Sequence, residues 1–473
     1  MLVRTVLRQD GANLAVHPYI KICTSLNGRL RFSKRVMGTK LLSSGQKFFS
    51  WFRKSKHQIK LVIFLLERRI YLETMKEKLW TKQYILVISM TILFFLSMQS
   101  LLGGFPIYVA NMTQDPASGG LMTTAFMLAA VLSRPFIGVI IPKINMKQWL
   151  IRSILFTVAM VVLSYFTTSL GLLILLRVMQ GIGFGFITTL FATLATNLIP
   201  SPRLGEGIGY FGMSTSIGST LGPMMAILMI HSFSFKTVLV FSFLMLVLVW
   251  LASYWVKSPP ILVKANDEPK ASIMQAAFDR KAFLPCFLVM LFYITFAGVV
   301  NFLDGLGEVS GLGGQTSIFF LFIAIMLVAT RPFSGIIFDR FGHKYLIYPA
   351  SFAAIIGLVL LAKTGSMYTL VFAGIFYGFA YGVMQPTFQA WAVSQVSPEK
   401  KATANAMSLS FMDLGQAIGA FALGRTAGII GYHSMYGVAA ITIAVLLVIY
   451  LSIHLVINKK RRQILNQEQA DVV

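Results

Sequence analysis

The chain has 473 residues, 56% hydrophobic and only 12% charged. A water-soluble domain of that size would lack polar surface, so the composition excludes one and points to the bilayer. A formal charge of +25 invites a nucleic-acid reading, but 15 Lys or Arg against three acids fall within residues 1–74, and the remaining +13 sits in apolar sequence, where an excess of cations reports topology.

Residues 1–74 hold no apolar run of spanning length; the longest, "LVIFLL" (Leu61 to Leu66), runs straight into Glu67, Arg68 and Arg69. It is too short for a transmembrane helix and too far from the N-terminus for a secretory signal. Met75 opens "MKEKLWTKQY", a short basic lead into an apolar stretch. Residues 1–74 are therefore read as a basic extension, either disordered or upstream of a native start at Met75. Neither Cys23 nor Cys286 has metal-ligand spacing around it, and two thiols make no disulfide framework.

From Tyr84 to Leu455, stretches of about 20 apolar residues, the length that crosses a bilayer, recur near 84–109, 119–141, 148–168, 170–198, 207–230, 236–256, 283–306, 315–337, 344–362, 366–394, 402–424 and 434–457. Cations gather in alternate breaks: Lys76, Lys78 and Lys82 before the first span, Lys143 and Lys147 after the second, Arg203 after the fourth, and "NKKRR" after the last. The other breaks are poor in cations, with Lys236, Lys363 and Arg425 as single exceptions. By the positive-inside rule both termini face the cytoplasm of a cell-membrane protein. The polar, Pro-bearing linker 257–282 separates an N-terminal half, 75–256, from a C-terminal half, 283–457, and residues 458–473 form a tail.

The halves repeat. "SRPFIGVIIPKINMK" begins at Ser133 and "TRPFSGIIFDRFGHK" at Thr330, 197 residues later. The second copy spells Gly335-x-x-x-Asp339-Arg340-x-Gly342-His343-Lys344, whereas the first has Pro142 in place of the acid. "LILLRVMQGIGFG" in the fourth span contains Leu173, Arg177, Gln180, Gly181 and Gly183, and the fifth span contains Gly209, Gly218, Gly222 and Pro223. An arginine inside a membrane helix costs about 2.5–3.5 kcal/mol on insertion scales unless it meets a partner or a wet cavity, so Arg177 is a functional candidate. Gly218 and Gly222 stand about one turn apart and allow close helix approach, whereas Gly209 falls on the opposite face.

These three phrases resemble the loop signature, the fourth-span signature and the antiporter-associated fifth-span signature of the major facilitator superfamily, and the resemblance covers 75–457. It implies an all-α membrane protein of 12 transmembrane helices in two pseudo-symmetric six-helix halves, with a substrate site between them. It also implies a conformational latch built from Gly335, Asp339, Arg340, Gly342 and Arg331. The fifth-span pattern departs from the family at Ala226 and Ile227, where two further glycines would stand.

Sliding the chain by 197 places Gly181 on Gly378, Gly218 on Gly415, Gly222 on Gly419 and Arg134 on Arg331, but Pro142 on Asp339, Arg177 on Gly374 and Ser216 on Asp413. The glycine scaffold repeats and the polar chemistry does not. Asp413 lies about eleven residues, roughly 17 Å, into its span, at nearly the depth of Arg134. A carboxylate there can gain or lose a proton as its surroundings change, or stay permanently paired; both readings stand. Asp413 with Arg134 across the halves, and Arg177, are the candidate proton-coupling residues; Arg331 would face Ser216. Asp304 and Glu308 read as a wetted rim, an Arg177–Asp304 pairing is the less favoured option, and His231 and His433 read as solvated loop residues. Gln180, Phe105, Phe292, Tyr377, Tyr381 and Gln385 are candidates for a substrate cavity, on spans whose many aromatic and Met side chains adapt to varied apolar or cationic ligands.

The expectation is a transporter, working as a monomer, that exports a small amphipathic molecule in exchange for protons, with the proton gradient as energy source and no cofactor. The alternative is a proton-coupled uptake symporter for a sugar or other nutrient. An intramembrane enzyme is disfavoured, because no His, Ser, Cys and acid set converges on one membrane face.

Overall fold

A computed structural model describes residues 78–140, 144–200, 203–257, 278–397 and 400–470, and within them every regular element is a helix. Residues 1–74, Pro142 and Lys143, most of the linker 257–282 and the side chain of Asp339 lie outside the described residues. The first six helices are α1 (Lys82–Thr113), α2 (Pro116–Ile140), α3 (Met146–Tyr165), α4 (Leu170–Leu198), α5 (Leu204–Ser232) and α6 (Phe235–Ser253). After the linker come α7 (Phe283–Val309), a short 3₁₀ turn (Gly313–Thr316), α8 (Ser317–Phe341), α9 (Lys344–Ala362), α10 (Met367–Ser394) and α11 (Lys401–Ala470).

Polar residues between the apolar runs start these helices, because the first N–H groups of a helix have no partner within it. Thr81 accepts from the Tyr84 N–H at the head of α1, Asn145 from Gln148 at α3, and Ser366 from Thr369 at α10. Asp115 does the same for α2, taking the N–H groups of Ala117 and Ser118 at 3.0 Å each. Gly342, at φ 79, closes α8.

α11 is too long for one crossing: 51 of its residues are apolar enough to span, about 75 Å of helix against a hydrocarbon core of about 30 Å. Gly431, at φ 81 and ψ 164, breaks it where the absence of a Cβ permits that backbone. The two arms run in opposite directions. Lys400 before the first arm bonds Asp279 at 3.0 Å, and Gly428 near its end packs on Asp115. His433, just past the break, contacts the Ala362 carbonyl at 3.1 Å, and Tyr450 at the other end of the second arm lies 2.8 Å from His343. The described residues therefore make twelve crossings.

One side of the bundle gathers Lys82, Lys147, Arg203, Lys257, Lys281 and Lys344 and is called the basic side below; Asp115, His231 and Glu308 mark the far side. Within each half the packing repeats: α1 on α5 as α7 on α11, α4 on α2 and α3 as α10 on α8 and α9. Across the halves α2 meets α11, α5 meets α8, and α1 meets α7. Gly218 and Gly222 let α5 approach α1, since a Cβ on either would lie 2.6 Å from Phe95 or Gln99 Cβ; Gly415 and Gly419 bring α11 equally close to α7. Gly209, on the other face, has nothing within 4 Å. Large apolar side chains such as Phe136, Phe166 and Tyr345 point outward, as a lipid-facing surface requires.

Candidate functional site

Two arginines, one from each half, stand at the layer where the halves part. Arg134, on α2, donates from Nε at 3.0 Å and Nη2 at 2.5 Å to Oδ2 of Asp413 on α11. Both side chains are nearly enclosed, 13% and 11% exposed. Arg331, its counterpart on α8, donates from Nη2 to the Ser216 hydroxyl on α5 and, at 2.8 Å, to the Gln385 amide oxygen on α10. The same 197-residue offset that carries Arg134 onto Arg331 carries Ser216 onto Asp413, so these two contacts are one contact made twice, with an acid in one copy and a hydroxyl in the other.

On the far side of that layer the halves are sealed. Thr123 donates to the Asn301 amide oxygen at 2.5 Å, and Thr124 to the Ala417 carbonyl at 3.0 Å. His231 Nε2 lies 2.7 Å from Asp304 Oδ1 and 3.6 Å from Glu308 Oε1. On the basic side a cavity of about 460 Å³ opens between α5, α8 and α10, walled by Tyr210, Met213, Phe338 and Pro386 and bounded by Arg331 and Thr387. This arrangement, closed on one face and open on the other, is one state of an alternating-access device.

Several sequence expectations need correction. Asp304 is no wetted rim: it is 5% exposed and held by His231. His231 belongs to the last turn of α5 and not to a loop, and His433 is bound to the Ala362 carbonyl. Arg177 does not meet Asp304. It is fully buried in the N-terminal half, bonding the Met122 carbonyl and Gln180 Oε1, with its guanidinium carbon 4.1 Å from the Phe126 ring centroid and 4.9 Å from that of Phe105. These rings supply a quadrupole in place of a counter-ion.

The proposed substrate residues are likewise core, not lining of this cavity. Gln180 bonds the Ser164 hydroxyl at 3.1 Å, and Phe105 stacks edge-on against Phe235. Phe292 lies parallel to Tyr377 at 5.8 Å, and Tyr381 to Phe296 at 4.6 Å, an aromatic stack inside the C-terminal half. Gln385 and Tyr381 come nearest, Gln385 through its bond to Arg331 and Tyr381 through a hydrogen bond with the Ser216 side chain. Of the latch residues, Arg331 and Gly335 border the cavity, Arg340 is exposed, and Gly342 is the α8 terminus. The His231–Asp304 and Thr123–Asn301 pairs were missed in sequence because their members lie 73 and 178 positions apart. Asn301, an amide inside an apolar span, was the available signal.

His231, Asp304 and Glu308 bring their ligand atoms within 4.8 Å of one another, near enough for a divalent cation.

The family pattern described as Major Facilitator Superfamily matches residues 87–407 and 356–471. The chain is 26% identical over 365 residues to the multi-drug resistance efflux pump PmrA of Streptococcus pneumoniae, covering 72% of this chain and 88% of that protein. It is 23% identical over 340 residues to the staphylopine export protein of Staphylococcus aureus, covering 70% and 85%, and 21% identical over 332 residues to the multidrug resistance protein MdtG of Escherichia coli, covering 68% and 81%. Among solved structures, the nucleoside transporter NupG superposes with a TM-score of 0.63 at 18% identity, over 79% of this chain and 99% of that one. The human organic anion transporter MFSD10 superposes with a TM-score of 0.56 at 16% identity, over 77% and 97%. At these identities the structures speak for the fold.

Proposed function

The chain belongs to the major facilitator superfamily, a transporter and not an enzyme, and from that premise we propose that it exports a small amphipathic molecule in exchange for protons. The basic side then faces the cytoplasm, following the positive-inside rule, and the structure corresponds to the state that loads cargo from within. The observation that carries the reading is the enclosed Arg134–Asp413 pair, which joins α2 of one half to α11 of the other. Protonation of Asp413 removes its charge, frees Arg134 and lowers the cost of parting α2 from α11.

The efflux names of PmrA, MdtG and the staphylopine exporter support the direction. The gradient is the energy source, no cofactor takes part, and one chain holding both halves acts as the working unit. The test is counterflow and proton-driven accumulation of a compound panel in everted membrane vesicles containing the protein. Uptake driven by an inside-acidic gradient and abolished by Asp413→Asn is the expected result. Accumulation of a sugar or nutrient in right-side-out vesicles, driven by outside acid, would establish the symporter instead.

A further inference from the structure

Arg134 and Arg331 occupy equivalent places, yet only Arg134 has a counter-ion. The partners of Arg331 are the neutral Ser216 hydroxyl and Gln385 amide, and its Nε is buried with no hydrogen-bond partner. Among the described residues no carboxylate forms an ion pair with it. Its position, about 15 Å from the basic end of α8 at 1.5 Å per residue, puts a guanidinium inside the membrane, where an uncompensated charge is expensive. Arg177 is also buried without an acid, but Arg331 borders the cavity, where a negative charge can come and go.

The surroundings say what carries that charge. Arg331 is the innermost α8 residue on the cavity, so it meets whatever enters from the basic side. Thr387, on the α10 wall of the same cavity, has a buried hydroxyl oxygen that also lacks a partner. Most of the remaining wall is apolar or aromatic, Met213, Phe338, Pro386 and the Tyr210 ring, and the Ser334 hydroxyl there is spent on the Arg331 carbonyl. Glu206, at the mouth, is engaged by Arg203 at 2.8 and 2.9 Å and so presents little free negative charge to an entering anion. A cavity of about 460 Å³ suits a body of one or two rings.

We propose that Arg331 and Thr387 form the recognition point for a carboxylate on an amphipathic substrate, whose apolar body rests on Met213, Phe338 and Pro386. This assignment rests on the export reading and narrows its cargo to organic anions. The guanidinium offers its free Nε–H and the threonine its O–H, and a charge-assisted bond to a carboxylate is about twice as strong as a neutral one. Occupancy also supplies the missing counter-charge, so that the C-terminal half comes to resemble the N-terminal half with its Arg134–Asp413 pair. Loading would then balance the two arginine layers before the halves move.

The test uses the full chain in phosphatidylcholine nanodiscs and three probes of one shape: 2-naphthoate, neutral 2-naphthamide and cationic 2-naphthylmethylammonium. Calorimetry should show naphthoate binding at least about tenfold tighter than the amide, the size of one charge-assisted contact, with the cation weakest. Arg331→Gln should erase the preference and Arg331→Lys restore part of it. Thr387→Val, which exchanges a hydroxyl for a methyl of similar size, should weaken naphthoate about three- to fivefold and leave the amide unchanged, and it serves if the arginine variants fail to fold. Equal binding of the three probes, preference for the cation, or no saturable binding of any would overturn the proposal. Tight naphthoate binding with no proton-driven movement in vesicles would overturn the export reading alone; proton-driven export confined to cations would overturn the anion assignment alone.

Discussion

Arg134 places both Nε and Nη2 on a single oxygen, Oδ2, of Asp413, across the boundary between the two halves. Removing one member of such an enclosed pair leaves the other charge without a partner, at a cost of about 3–5 kcal/mol. Asp413→Asn and Arg134→Ala should each lower the unfolding temperature of the purified protein and abolish coupling of cargo movement to a proton gradient. Retention of gradient-driven export in either variant would remove the pair from the mechanism.

His231 and Asp304 clasp the far side. With Thr123→Cys as a reporter at a fully buried position, a membrane-impermeant maleimide applied from the far side should label poorly when the clasp is intact. The reporter itself gives up the Thr123–Asn301 bond, so adding Asp304→Asn or His231→Ala should raise the labelling rate severalfold, and unchanged labelling would show that the remaining helix contacts suffice for the seal.

The glycines of α5 should separate by face. Gly222→Ala drives a Cβ to within 2.6 Å of Gln99 Cβ, so α1 or α5 must shift, and overpacking of that kind costs about 1–3 kcal/mol. Gly209→Ala meets open space and should leave thermal stability unchanged or slightly raised. Thermal unfolding in one detergent compares them directly.

Asp115, in the turn ahead of α2, has its carboxyl held below the usual carboxylate range, first by the Ser118 hydroxyl and then by the N–H groups of Ala117 and Ser118, which outweigh desolvation. A group whose folded pKa is depressed contributes stability that is present above its unfolded pKa, near 3.9, and is lost as pH falls through the folded value. Asp115→Ala should therefore cost about 1 kcal/mol at neutral pH, as lost caps do. The gap between wild type and variant should close as the pH drops below about 4. A gap that stays constant as the pH falls through the folded value would mean that the side chain acts by packing and not by charge.

The spans, the six-and-six division and the paired glycines were legible because each is written in local composition or in a repeat of fixed length. Arg134 with Asp413 could be anticipated too, since depth along a helix follows from residue count and the pseudo-symmetry says which helices meet. The substrate candidates fared differently. Phe105, Gln180 and Tyr377 sit on spans of the right kind but turn into the core of their own halves, whereas Tyr381 reaches Ser216 across the boundary, and rotation about the helix axis leaves little trace in spans that are apolar all round.

The sequence by itself thus determined how many times the chain crosses, where helices approach closely, and which polar residues would be too expensive to leave alone in lipid. Tertiary structure alone decided their partners. Arg177 could be satisfied by Asp304 or by Phe105, Phe126 and Gln180, and packing of α2 and α4 chose the latter. Asp304 went to His231, 73 positions away, because the ends of α5 and α7, one from each half, come together on the far side. Arg331 was left without an acid because α5 carries Ser216 where α11 carries Asp413, and the cavity opens beside it. Such pairings depend on which faces of separate helices come together, a property of the assembled bundle that no local run of residues encodes.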